Sequence, residues 1–232
     1  MIKFQNITKI YPSYIPGLKP TIALADVSFE VKSKDFISIV GKSGAGKTTL
    51  LKLLLAEEKP TKGTVFFKEQ DVHSIEPEEL PYLRRKIGVV FQDYKLLSSK
   101  TTYENVAYVM EVIGASDKEI KKAVPTILEI VGLGDRANNF PSQLSGGERQ
   151  RAAIARALTH RPEVILADEP TGNLDPYHTL DIIELLLKIN RMGTTVILST
   201  HNKATINKLG KRVITLENGK IIRDEKKGRF IL

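Results

Sequence analysis

A chain of 232 residues can bury one sizeable core, with or without a smaller appended subdomain. Its 41% hydrophobic and 27% charged residues are ordinary for a soluble globular protein, and the absence of cysteine excludes a disulfide framework and a thiolate metal site. The net charge of +8 is scattered, with only short runs at Arg84-Arg85-Lys86 and Lys226-Lys227, and no aromatic-rich RNA-binding signature accompanies it, so no direct nucleic-acid partner is expected.

The N-terminal stretch MIKFQNITKIY alternates like a strand over residues 2–7 and lacks the apolar stretch of a signal peptide. No apolar run approaches the roughly 18 residues needed to cross a bilayer, which predicts a cytoplasmic chain. Tyr11 is expected in a polar turn, before a loop over 12–20 holding three prolines and a glycine. A second strand is predicted over 23–31 and a buried strand over 36–40, followed by a helix over 48–56. Strands at 64–67 and 87–91 flank a short helix near 77–85. The pattern then turns helical, with apolar residues three and four apart, predicting helices over 103–113, 117–131 and 147–159. A buried strand at 164–167, an amphipathic helix at 176–190, a strand at 195–199 and a short helix at 203–209 follow. Strands at 213–216 and 220–223 form a closing hairpin around Asn218-Gly219. Strands alternating with helices imply an α/β sheet, with the block from about 93 to 162 inserted as helices. The tail at 229–232 is short, so no regulatory domain is expected.

The most specific stretch is GKSGAGKTT, residues 41–49, with Gly41, Gly46, Lys47 and Thr48 at the fixed places of a phosphate loop. Glycines let backbone N–H groups approach phosphate oxygens closely. Lys47 reaches the β- and γ-phosphates as a point charge, and the Thr48 hydroxyl suits Mg²⁺. The predicted strand before the loop and helix after it supply the required context, and a helix N-terminus favours an anion. Residues Lys42, Ser43, Gly44, Ala45 and Thr49 complete the nucleotide-binding stretch.

Hydrolysis requires further groups. EVILADE, residues 163–169, is an apolar strand ending in two carboxylates. Asp168 at the strand end is placed to hold the Mg²⁺ shell. Glu169 is placed to orient or deprotonate a water in line with the γ-phosphate. LSGGE, residues 144–148, is both a capping box, Ser145-x-x-Glu148, and a glycine-rich helix start with donors for an anion. Nothing in the spacing says which anion.

GKSGAGKTT, Gln92, LSGGERQ, ILADEP, Asn173-Leu174-Asp175 and His201 stand in the order and spacing of an ABC-transporter ATPase, and the chain resembles that family over essentially its whole length. The resemblance implies a RecA-like phosphate-loop NTPase core with an N-terminal antiparallel β subdomain and an inserted α-helical subdomain, in one domain spanning 1–232. The core would take about 1–92 and 163–232, and the helical subdomain about 93–162. It implies ATP and Mg²⁺ as cofactors. Tyr11 is then the aromatic that stacks on adenine. Gln92 senses Mg²⁺ and the attacking water. Ser145, Gly146 and Gly147 close on the γ-phosphate of a second copy. Asp175 couples the two sites, although Asp175-Pro176 is equally an N-cap and N1 pair. His201 contacts the γ-phosphate. Catalysis falls to Glu169, His201 and Gln92, within a head-to-tail homodimer formed on ATP binding.

The segment after Gln92, with TTYENVA and MEVIG, is similar to the cell-division branch of the family, the FtsE ATPases, as are DEPTGNLDP and Glu148. That likeness implies a separate four-helix membrane partner of FtsX type, peripheral placement on the inner face of the membrane, and regulated cell-wall hydrolysis as the outcome. ATPases of lipoprotein-releasing, macrolide-exporting or amino-acid-importing transporters share every catalytic residue. Soluble ABC proteins usually carry two cassettes or a long coiled coil, and this chain has no heptad run. Lys42 and Asn202 depart from the family pattern without removing a catalytic group.

Overall fold

The structure, a computed structural model, describes residues 1–13, 15, 17 and 19–228, and only the backbone at 203, 204 and 208. Tyr14, Pro16 and Leu18 of the expected loop, and the tail at 229–232, lie outside the described residues. The elements in chain order are β1 (Ile2–Tyr11), β2 (Thr21–Val31), β3 (Phe36–Val40), α1 (Lys47–Leu54), β4 (Lys62–Phe67), β5 (Gln70–Asp71), α2 (Leu80–Arg84) and β6 (Ile87–Phe91). Then follow α3 (Thr102–Val112), α4 (Asp117–Ile130), α5 (Gly146–Leu158), β7 (Val164–Asp168), α6 (Pro176–Arg191), β8 (Thr195–Thr200), α7 (Lys203–Leu209), β9 (Arg212–Glu217) and β10 (Lys220–Glu225). The chain divides into two compact units, one from Met1–Arg84 with the segment from Thr195 onward, the other Arg85–Thr194. Among the described residues no helix is long and apolar enough to cross a membrane.

The first unit holds an antiparallel sheet ordered β2-β1-β4-β5 and the contiguous strands β10-β9-β3-β8. β3 lies between β8 and β9, parallel to both. All five of its residues are buried, which is why FISIV reads as a nearly continuous apolar run, interrupted by Ser38 alone. α1 turns Leu50, Leu51, Leu53 and Leu54 inward, each such burial worth about 1.5–3 kcal/mol. β1 does not end at residue 7 as its alternation predicts. It continues to Tyr11, which pairs with Thr21, so Tyr11 stands at a strand end and not in a turn. The reason is local: register shifts begin between Phe4 and Ile7, and Asn6 takes φ 50. Such irregularities break the period of two on which a strand is read.

In the second unit β6 and β7 pair in parallel. Every helix of eight or more residues between them is accounted for by α3, α4 and α5. Each starts on a capping box: Thr101 with Glu104, Ser116 with Glu119, and Ser145 with Glu148. Satisfying two orphan N–H groups at each start fixes where the helix begins. α5 packs against β6, α3, α4 and α6. Its alanines Ala152, Ala153, Ala155 and Ala157 are buried, so the surrounding elements approach its backbone closely.

Candidate active site

In the first unit β3 delivers the chain to Gly41 and α1 takes it up at Lys47. Between them Gly44 (φ 79) and Gly46 (φ 102) are left-handed, a conformation glycine adopts without a Cβ penalty. Space is equally decisive. A Cβ on Gly46 would lie 2.5 Å from the Ala23 carbonyl oxygen, and one on Gly41 would lie 2.4 Å from that of Leu216. The loop is therefore gripped by the backbones of β2 and β9. Gly46 caps α1 without a side chain, so the positive end of the helix faces the loop. Lys47 is only 6% exposed. Its Nζ donates to the carbonyls of Gly41 (2.9 Å) and Lys42 (3.2 Å), laying the ammonium across the loop. Thr48 and Thr49 follow in the first turn. Residues 42–45 and 216–218 line a groove of about 290 Å³.

The parallel register pairs Val40 with Thr200, which sets Gly41 and His201 at the same end of their strands. After His201, Asn202 caps α7 by accepting from the Thr205 N–H at 3.1 Å, while its own N–H donates to Thr200 Oγ1 at 3.0 Å. Asparagine in place of the common aspartate thus keeps the cap. Tyr11 is half-buried. The Lys9 ammonium stands 4.8 Å from its ring centroid and is itself held by Glu58 (2.7 Å) and the Lys59 carbonyl (2.8 Å). One face of the ring is thereby occupied by a cation.

In the second unit the register pairs Phe91 with Asp168. Gln92 and Glu169 accordingly leave their strands at the same end, with Asp168 beside them. Gln92 Nε2 donates to Asn173 Oδ1 (3.1 Å), and Asn173 Nδ2 donates back to the Gln92 carbonyl (3.3 Å). Gly172 leaves room for this pair, since a Cβ there would lie 2.8 Å from Gln92 Nε2. Glu169 is left-handed, φ 48, directly after the strand. A non-glycine residue in that region costs about 1–2 kcal/mol. The Gly172 N–H bonds to the Glu169 carbonyl at 3.0 Å, closing the turn that imposes it. Two carboxylates and an amide at one strand end can hold a hard cation and polarise or deprotonate a water.

Ser145, Gly146 and Gly147 open α5. The Ser145 side chain accepts from the Glu148 N–H (3.2 Å), and Glu148 accepts from the Ser145 N–H (2.8 Å) and from Arg136 (3.0 Å). The Ser145 N–H first, and Arg136 after it, hold the Glu148 carboxyl below its ordinary range. A Cβ on Gly146 would meet Leu174 at 3.2 Å and the Tyr94 hydroxyl at 3.5 Å, and one on Gly147 would lie 2.4 Å from His178 Cδ2. Asp175 caps α6, accepting from the N–H groups of Tyr177 (2.9 Å) and His178 (3.0 Å). Its second oxygen bonds the His178 ring. That ring, then the backbone donors, lowers the Asp175 pKa.

The structure thus gathers Gln92, Asp168 and Glu169 at one strand end, and sets the 145–147 turn against the segment leading to Asp175. The loop of 41–49, Tyr11 and His201 belong to the other unit. Sequence reasoning missed the side chains that hold these motifs. Asn173 fixes Gln92. Arg156 donates to the carbonyls of Tyr94 (2.9 Å) and Lys95, two consecutive left-handed residues. Its burial pushes the guanidinium pKa down from the ordinary value. His178 joins Asp175 to Gly147. One signal was available: His178 is the third residue of a helix capped by Asp175, the place where a capping partner stands.

The family profile described as ABC transporter matches residues 24–172. The cell division ATP-binding protein FtsE of Bacillus subtilis (strain 168) is 47% identical over 230 residues, covering 99% of this chain and 98% of the relative. The dimeric structure of MJ0796, a bacterial ABC transporter cassette, aligns with a TM-score of 0.87 at 39% identity, covering 99% of this chain and 100% of that one. A post-hydrolysis dimer of the same cassette, bound to ADP and Pi, aligns with a TM-score of 0.85 and the same identity and coverage.

Proposed function

The chain belongs to the ABC transporter family and, within it, to the FtsE-type cell division ATP-binding proteins, and on that premise we propose that it is the ATP-hydrolysing subunit of an FtsE–FtsX-type membrane complex. ATP-driven closure of a homodimer would regulate cell-wall hydrolysis during division. The observation that carries this reading is the likeness to FtsE along nearly the whole chain, from β1 to the β9–β10 hairpin.

The residues take these roles. Backbone N–H groups of 41–49 and the Lys47 ammonium bind the β- and γ-phosphates. Tyr11 stacks on adenine with the ring face that Lys9 does not cover. Glu169 takes the proton of the attacking water, and its strained φ fits a residue held for a task rather than for comfort. His201 contacts the γ-phosphate. Ser145, Gly146 and Gly147 close on the γ-phosphate of the second copy, and Asp175 couples the two sites. Thr48, Asp168 and Gln92 supply oxygen donors suited to Mg²⁺. Gln92 donates through its amide nitrogen to Asn173, and its amide oxygen is the atom proposed for this use. Among the described residues no cluster of three His, Cys, Asp or Glu side chains could hold a metal alone. That fits an ion which keeps water and phosphate as ligands. When bound, it neutralises charge on the β- and γ-phosphate oxygens.

The partner follows from the branch: a separate membrane protein of FtsX type would hold the chain on the inner face of the cell membrane. To test this, tagged Glu169→Gln chain with Mg·ATP is incubated with detergent-solubilised membranes of its own cell, and what it retains is identified. A permease with four spans and a large extracellular loop is expected. A many-span permease, or one accompanied by a solute-binding protein, would make the chain a transporter subunit. No membrane protein at all would leave a soluble ABC protein.

A further inference from the structure

The resemblance assigns Asp175 and the 145–147 turn but gives position 178 no role. Here it is a histidine with two neighbours. Its ring bonds Asp175 Oδ2, while Asp175 Oδ1 accepts from the N–H groups of Tyr177 and His178. Both oxygens of Asp175 are therefore engaged by its own helix. The opposite edge of the ring fills the space over Gly147, where an added Cβ would lie 2.4 Å from Cδ2 and 3.0 Å from Cγ. Leu174 covers Gly146 in the same way, at 3.2 Å from an added Cβ. The first turn of α5 is thus seated on the 174–178 segment, and the His178 side chain meets both Gly147 and Asp175.

We propose that His178 is a positioning residue for ATP hydrolysis: by bonding Asp175 and packing on Gly147, it sets the two segments that face the second copy as one rigid piece. The inference rests on the ATP-sandwich dimer of the preceding section. A bond between an imidazole and a carboxylate fixes the rotation of both groups. A fixed carboxylate presents one oxygen direction across a dimer interface, and positional errors of about 1 Å in such groups cost about 100-fold in rate. Nucleotide binding by a single copy does not use this piece. The expected signature is therefore a fall in kcat, and weaker ATP-induced dimerisation, with the KM for ATP little moved.

Two variants separate the hydrogen bond from the bulk of the ring. His178→Leu keeps volume against Gly147 and loses the donor. His178→Asn keeps a donor close to the place of Nδ1. Steady-state ATPase rates of both are compared with the native chain, and the ATP concentration that half-dimerises the Glu169→Gln chain is measured with and without each change. We expect His178→Leu to lower kcat about tenfold with KM within about twofold, and to raise the half-dimerising ATP concentration about tenfold. His178→Asn should keep at least about half of the native kcat. A native rate in His178→Leu, or equal losses in both variants, overturns the proposal. If Glu169→Gln with native His178 stays monomeric in ATP, the sandwich reading falls and this proposal with it. If that chain dimerises and His178→Leu leaves its midpoint unmoved, only the role of His178 falls.

Discussion

The phosphate loop of the first unit is held by backbone. Carbonyls of Ala23 and Leu216 crowd Gly46 and Gly41, two glycines are left-handed, and Lys47 bonds to carbonyls of the loop itself. The corresponding segments of the second unit are held by side chains. Asn173 grips Gln92, Arg156 holds the turn after it, Glu148 caps α5, and His178 links Asp175 to Gly147. A loop that surrounds phosphate needs N–H groups brought close, and glycine supplies that. A segment proposed to face another copy of the chain, or a membrane partner, needs an orientation, and hydrogen-bonded side chains supply that. Substitutions in the loop of the first unit should therefore abolish binding, and those in the second unit should spare binding but slow turnover.

The largest effect is expected in the first unit, where Lys47 is the buried side chain the loop cannot replace. Lys47→Ala should weaken ATP binding by about 100-fold or more, the worth of a charge-assisted hydrogen bond to phosphate. Calorimetry reads this directly, and an unchanged affinity would mean that the backbone cradle alone binds phosphate. An intermediate effect is expected in the second unit from Asn173→Ala, which releases Gln92 without touching the loop. It should lower kcat about tenfold, as loss of a supporting partner commonly does, and leave the ATP Kd within about twofold. A weakened Kd there would erase the division of labour between the units.

The smallest effect concerns Glu148. Its folded pKa lies below the ordinary 4.5 because the Ser145 N–H and Arg136 favour the carboxylate. A depressed pKa means that its stabilisation is present above the unfolded value and is lost as pH falls through the folded one. Glu148→Gln keeps an acceptor for Ser145 but not the charge. Thermal unfolding at about pH 6 should place it about 0.5 kcal/mol below the native chain, the scale of a largely solvated pair. The gap should close as pH falls below the ordinary 4.5 and through the lowered folded value. A gap that persists in acid would show that charge is not what Glu148 contributes.

The same contrast explains what the sequence revealed. Gly41, Gly46 and Lys47 announce themselves because a backbone cradle admits few residue types at few spacings. β3, buried on both faces, was legible to the residue as FISIV, and α7 and β6 were too. Tyr11 was misplaced because bulges around Asn6 hide the continuation of β1. β5, a two-residue strand, carries too little pattern to be read. The capping box at Ser145 was found, while those at Thr101 and Ser116, of the same form, were not. The contacts of Asn173 and Arg156 could not be read at all, and His178 offered only its place three residues after the capping Asp175. The contacts of Asn173 and Arg156 join residues as far as 81 positions apart, as Gln92 and Asn173 are, and a hydrogen-bonding side chain at an exposed position has no signature until its partner is placed.

The proposed function depends on ATP closing two copies of this chain upon each other, and Glu169→Gln isolates that step, because it removes the proposed base while leaving the phosphate loop and the 145–147 turn intact. Light scattering on a size-exclusion column, with Mg·ATP in the running buffer, should move this variant from the 25.9 kDa of one chain to twice that mass, and should leave it at one chain without nucleotide. A Glu169→Gln chain that binds ATP and still elutes with the mass of one copy would mean that ATP does not close two copies upon each other.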